Sequence, residues 1–97
     1  MLGIYTACYL RESGCEIVAV VDGVAERLQI AERFGATHTF NLSDMPPEQI
    51  GEALQDLTDG RGADLAIEVS GAGAALKNTI DWLGIGGRCL TLGFIYP

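Results

Sequence analysis

"EIVAVVDGVAERLQIAERFGATHTFN" occupies residues 16–41, and two periods run through it. Ile17, Val18, Ala19, Val20 and Val21 form an unbroken apolar run, rich in β-branched side chains. Such a run suits a strand over residues 16–22 buried on both faces of a parallel sheet. After Asp22 the period changes. Val24, Leu28, Ala31 and Phe34 recur at helical spacing, which places one apolar stripe on a helix within residues 23–36, closed by Gly35. THTFN, residues 37–41, is again β-prone. Strand, helix, strand is the crossover that parallel strands require, so this stretch predicts an α/β fold.

The same alternation extends outward. Residues 3–13 read as an amphipathic helix, with Gly14 where a helix favours glycine after its last turn. Pro46 and Pro47 fit a helix start, Ile50, Leu54 and Leu57 supply its stripe, and TDGRG, 58–62, stops it. DLAIEV, 64–69, is a second apolar strand pattern. GAGAALKNTIDWL, 71–83, is a helix with Ala72, Leu76, Ile80 and Leu83 on one face. GIGG, 84–87, reads as a break, and RCLTLG, 88–93, as the last strand. Phe34 and Trp82 are expected as core aromatics. The order α-β-α-β-α-β-α-β predicts a doubly wound parallel sheet with helices on both faces.

Composition narrows the function classes. The chain has 97 residues, enough for one domain, and a net charge of −7. That charge argues against nucleic acid and anionic membranes as partners, which call for basic patches. No apolar run reaches the about 20 residues that span a bilayer, and no basic-then-apolar leader opens the chain. Cys8, Cys15 and Cys89 are an odd number without C-x-x-C spacing. They read as thiols of a reducing compartment, the cytoplasm, and not as a disulfide framework or zinc cluster. His38 is the only histidine, so a packing or surface role is expected.

Dinucleotide-binding folds carry G-x-G-x-x-G in their first strand-to-helix turn, and an acidic residue about 20 positions on that binds the adenosine ribose. If Gly3 is the third glycine, the acid is due near the end of the 17–21 run. Asp22 stands there, 19 positions after Gly3. Its carboxylate would accept hydrogen bonds from ribose hydroxyls and repel an extra phosphate. An Asp followed by Gly is equally an ordinary turn pair, and spacing alone leaves both readings open. GAGAALKN, 71–78, follows a strand but lacks the G-x-x-x-x-G-K-[ST] spacing of a phosphate loop.

Four segments together carry a family resemblance. They are D-x-x-x-x-R at 22–27, A-x-x-x-G-A at 31–36, G-x-G-A-D-x-x-x-E-x-x-G at 60–71 and G-G-R-x-x-x-x-G at 86–93. As a set they resemble the nucleotide-binding domain of the medium-chain dehydrogenase/reductase superfamily, nearest to its zinc-type alcohol and polyol dehydrogenases. The resemblance covers essentially the whole chain. It implies an incomplete Rossmann domain over residues 1–97 and an NAD-dependent oxidoreductase moving hydride between an alcohol and NAD. It also implies cofactor-binding roles. Gly3 matches the third fingerprint glycine. Asp22 matches the ribose-binding acid that favours NAD, and Arg27 a basic residue reaching the same ribose or its phosphate; a solvated helix-face arginine is the plainer alternative. Val69, Ser70 and Gly71 match the stretch on the adenine and nicotinamide-ribose side. Leu92, Gly93 and Phe94 match backbone that contacts the carboxamide. Glu68 resembles a feature of the zinc-type branch without an implied catalytic duty.

The resemblance further implies that the chain is a fragment. The first Rossmann strand, the catalytic domain and the ligands for zinc would lie outside it, and Met1 would fall inside the phosphate-binding turn. On that expectation the 97 residues alone bind a dinucleotide but do not turn over an alcohol, and an empty central strand position lowers their stability. Homo-oligomerisation, common in the family, would use a strand after Pro97. One alternative class stays open, a non-catalytic nucleotide-binding or interaction module. Asp22 speaks against the zinc-independent quinone reductase branch, which usually uses NADP, and the segments at 60–71 and 86–93 fit a dehydrogenase better than a methyltransferase.

Overall fold

Eight elements alternate along the chain in the computed structural model, which describes residues 2–68 and 73–91. They are α1 Leu2–Glu12, β1 Ala19–Asp22, α2 Ala25–Arg33, β2 His38–Asn41, α3 Pro47–Leu57, β3 Ala63–Glu68, α4 Gly73–Asp81 and β4 Leu83–Thr91. The strands form two parallel pairs, β1–β2 and β3–β4. Parallel pairs joined by helical crossovers are the α/β, Rossmann-like pattern that the sequence predicts. The chain divides into two compact units, Met1–Pro46 and Pro47–Pro97.

In the first unit, α1 ends where the sequence says it should. The Gly14 N–H donates to Arg11 O at 3.2 Å and the Cys15 N–H to Leu10 O at 3.1 Å, with Gly14 at φ +98°. This is the paired hydrogen bonding of a left-handed helix C-terminus, which glycine adopts without strain. The Arg11 guanidinium then donates to Cys15 O at 2.6 Å and Glu16 O at 3.3 Å. With those carbonyls turned toward α1, residues 15 and 16 stay out of the ladder. β1 therefore begins at Ala19, three residues later than expected. Val18 is held by Thr37: its N–H donates to Thr37 Oγ1 at 2.8 Å, and its carbonyl accepts the Thr37 N–H at 2.8 Å. The backbone ladder runs from Ala19↔His38 to Asp22↔Asn41.

The strand residues differ from expectation in burial. Val18 is buried, but Ile17 is exposed and Ala19–Asp22 are half-buried. Within this unit α2 packs across both strands and α1 packs on α2, which covers one face of the ribbon. The α2 stripe is shorter than its sequence period. Leu28 and Ala31 are buried, whereas Val24 and Phe34 are exposed. Both lie on the helix caps, with φ of −116° and −107°, where the backbone has left helical geometry and the period no longer aims the side chain. Phe34 is thus not a core aromatic. Gly35 follows it, and a Cβ there would stand 2.8 Å from Arg11 Cβ, so glycine allows α1 to lie against the end of α2.

In the second unit, Ile50 and Leu54 form the buried side of α3, with Leu57 half-buried. The helix stops through Thr58, whose hydroxyl donates to Leu54 O at 2.8 Å and accepts the Gly62 N–H at 2.8 Å. Trp82 is half-buried. Its indole N–H donates to Pro47 O at 3.1 Å, and its ring lies over Gly51, where a Cβ would meet Cδ1 at 3.3 Å. The tryptophan thereby ties the start of α3 to the turn between α4 and β4. α4 packs on β3 and β4. Its expected face is not buried at Ile80. Ile80 is exposed and Thr79 is buried, its hydroxyl donating to Ala75 O at 2.7 Å so that no donor is left unpaired. Ala72 lies outside the described residues.

GIGG is not a break. Residues 84–87 lie inside β4, and the register moves from Ala63↔Leu83 to Leu65↔Arg88. Two steps along β3 match five along β4, which makes this stretch a β-bulge. Its glycines permit a backbone approach that no side chain would allow. A Cβ on Gly62 would stand 2.8 Å from Gly84 N, and one on Gly87 would stand 2.7 Å from Ala63 O. Beyond the bulge the strands end in register at Glu68↔Thr91.

Candidate functional site

The chemistry-bearing cluster of the first unit lies at the carboxyl ends of β1 and β2, the end at which open α/β sheets bind ligands. Asp22 is the last residue of β1, in register with Asn41, the last of β2. One carboxylate oxygen of Asp22, Oδ1, accepts the backbone N–H of Val24 at 3.0 Å. The other, Oδ2, stands 3.8 Å from a guanidinium nitrogen of Arg27. That distance is an ion pair and not a hydrogen bond. The Asp22 side chain is 29% exposed and that of Arg27 64% exposed. A carboxylate fixed at one oxygen, half-open at the other and flanked by a cation suits a vicinal diol that donates two hydrogen bonds.

The turn that carries Asp22 is held by the loop after β2. The Leu42 N–H donates to Asp22 O at 3.0 Å, adding a rung past the end of the strand. The Ser43 hydroxyl donates to Gly23 O at 2.9 Å. Ser43 is fixed in turn, because its N–H donates to Asn41 Oδ1 at 2.8 Å. The Asn41 carbonyl accepts the N–H groups of Asp44 and Met45 at 3.0 and 2.9 Å. Asn41 and Ser43 were not singled out from the sequence. The available signal was an Asn two residues before a Ser at a strand end, which favours a turn closed by the Asn side chain.

Gly3 lies in the first turn of α1. Val69, Ser70 and Gly71, and likewise Leu92, Gly93 and Phe94, lie outside the described residues; in sequence they follow Glu68 and Thr91, the in-register ends of β3 and β4. Glu68 is buried. His38 opens β2, with Nδ1 at 2.9 Å from Thr37 Oγ1. Among the described residues no three His, Cys, Asp or Glu side chains stand together to hold a metal ion. These residues therefore offer zinc no ligand set, while the Asp22 cluster does fit the ribose of a dinucleotide.

Comparison with known proteins gives the same direction. A family model described as zinc-binding dehydrogenase matches residues 2–97. The L-threonine 3-dehydrogenase of Saccharopolyspora erythraea is 35% identical over 92 residues, which is 95% of this chain and 26% of that protein. The crystal structure of an alcohol dehydrogenase from Thermotoga maritima superposes with a TM-score of 0.94 at 35% identity, over 99% of this chain and 26% of that one. A zinc-binding dehydrogenase from Sinorhizobium meliloti, solved bound to NADP, superposes with a TM-score of 0.84 at 26% identity, over 97% of this chain and 27% of that one. The chain thus spans about a quarter of the length of the relatives it matches.

Proposed function

The chain belongs to the zinc-binding dehydrogenase family, and on that premise we propose that it is the NAD-binding part of an alcohol or polyol dehydrogenase. The observation that carries the reading is Asp22, held at the carboxyl end of β1 with one oxygen on the Val24 N–H and the other beside Arg27. In this role the carboxylate accepts the hydroxyls of the adenosine ribose and repels a phosphate in their place. Arg27 reaches the same ribose or its neighbouring phosphate. Gly3, as the third fingerprint glycine, lets helix and strand pack closely at the phosphate-binding turn. Val69, Ser70 and Gly71 line the adenine and nicotinamide-ribose side, and Leu92, Gly93 and Phe94 meet the carboxamide. When bound, the nicotinamide supplies the hydride acceptor, and these residues supply position and electrostatics.

The alcohol site and the zinc belong, in this reading, to the remainder of a protein of the relatives' length. The 97 residues alone bind NAD weakly and turn over no alcohol. The three cysteines are free thiols, which supports a cytoplasmic setting. No described helix is long and apolar enough to cross a membrane.

Calorimetric titration of the purified chain is the test. NAD is expected to bind more tightly than NADP by about tenfold or more, the discrimination that one fixed charge provides. An NADP preference, the cofactor of the Sinorhizobium meliloti relative, would overturn the role of Asp22. Appearance of reduced nicotinamide on adding alcohols would overturn the statement that the chain alone is inactive.

A further inference from the structure

We propose that Ser43 is a positioning residue of the nucleotide site: its hydroxyl, bound to Gly23 O, orients the Asp22 carboxylate toward the ribose. The inference rests on the NAD-binding role of Asp22 and goes beyond it, because Ser43 lies 20 residues from Gly23 and matches no fingerprint position.

The turn from β1 into α2 is only two residues long, Gly23 and Val24. It is pinned at three points. Asp22 O accepts the Leu42 N–H, Gly23 O accepts the Ser43 hydroxyl, and the Val24 N–H donates to Asp22 Oδ1. The third bond matters for binding because it ties the carboxylate to the peptide between Gly23 and Val24. That peptide carries the Gly23 carbonyl at its other side. Holding the carbonyl fixes the peptide plane, the plane aims the Val24 N–H, and the N–H aims the carboxylate.

The clamp is itself rigid. The Asn41 side chain and carbonyl bind three successive backbone N–H groups, those of Ser43, Asp44 and Met45. The loop is therefore folded on its own before Ser43 reaches across. Ser43 is exposed, and an exposed hydrogen bond contributes little to global stability. Its effect is therefore expected in ligand affinity.

Orientation and charge act on different ligands. Two hydrogen bonds from one ribose to one carboxylate need the oxygens within about 0.5 Å of their places. Repulsion of a phosphate depends on the charge alone and tolerates a rotated carboxylate. Loss of the clamp should therefore weaken NAD without helping NADP. Loss of the charge should weaken NAD and help NADP.

The experiment measures NAD and NADP affinities by calorimetry, and amide hydrogen exchange at Val24, for the native chain and for Ser43→Ala, Ser43→Thr and Asp22→Asn. Ser43→Ala is expected to weaken NAD about fivefold, the share of one hydrogen bond. NADP affinity should stay unchanged and Val24 exchange should quicken. Ser43→Thr keeps the hydroxyl and should restore both values. Unchanged NAD affinity in Ser43→Ala overturns the proposal while leaving the role of Asp22 intact. An equal fall for NAD and NADP, with faster exchange throughout the first unit, also overturns it by showing a structural role. If Asp22→Asn changes neither affinity, the reading of the site itself fails, whatever Ser43 does, and the proposal fails with it.

Discussion

Gly84→Ala is expected to cost about 3 kcal/mol or more and to unfold the second unit before the first. A Cβ on Gly84 would overlap the carbonyl oxygen of Arg61. The obstacle is backbone, and backbone cannot step aside as the tip of a side chain can. Facing it, Gly62 has no room either, and Gly87 abuts Ala63 O. The added methyl would have to separate β4 from residues 61–63, and with them the Ala63 N–H from Trp82 O, a bond of 3.1 Å. Overpacking a close-packed site costs about 1–3 kcal/mol when side chains can shift, and more when they cannot. Against a total of about 5–15 kcal/mol, that loss is large.

Gly86→Ala is the control that separates sterics from conformation. Gly86 has φ +80°, yet nothing lies within 4 Å of a Cβ there. Its substitution carries the left-handed penalty alone, about 1–2 kcal/mol. Urea unfolding followed by the fluorescence of Trp82, the single tryptophan, reads the second unit directly. Equal midpoints for the two variants would refute the steric account of the bulge.

The second large effect is functional. Asp22→Asn keeps the shape of the side chain and an oxygen for the Val24 N–H, and removes the charge. Hydrogen bonds to a charged acceptor contribute about 1.5–3 kcal/mol against about 1 for neutral pairs. Losing that difference at two ribose hydroxyls should lower NAD affinity by roughly tenfold or more. The same change removes the repulsion of a phosphate and leaves Arg27 without its anionic partner, so NADP should bind more tightly. The ratio of the two affinities should move by about a hundredfold in total, read by the same titrations. A ratio that moves by less than about twofold would sink the assignment of Asp22.

Much of this architecture was readable because it is local. Each crossover announces itself through a change of period, and Gly14 and Gly35 mark helix ends that hydrogen bonds then close. Asp22 stood out because strand end and fingerprint spacing coincide at one residue. What escaped is non-local. Whether GIGG ends a strand or bulges within one depends on how closely residues 61–63 approach it, and three glycines and an isoleucine look alike in both cases. Phe34 carries the period of its helix but sits one residue past its end, so periodicity assigned it to the core and geometry did not. The burial of Thr79 in place of Ile80 depends on which side of α4 meets β3 and β4. Ser43 was missed for the same reason, since a hydroxyl and a carbonyl 20 residues apart leave no pattern in the string.

One feature of the β1–β2 ribbon sets the direction in which it frays. At its amino end Val18 is buried and bonds Thr37 twice, its N–H donating to Oγ1 and its carbonyl accepting the Thr37 N–H, each at 2.8 Å. At its carboxyl end the rung is a backbone N–H, that of Leu42, with Ser43 behind it. Leu42 and Ser43 are exposed, so partial opening starts at the Asp22 end, and the Leu42 amide should lose protection before that of Val18. The ribbon unzips from its carboxyl end, so a nucleotide bound at Asp22 would be expected to slow exchange at Leu42 first.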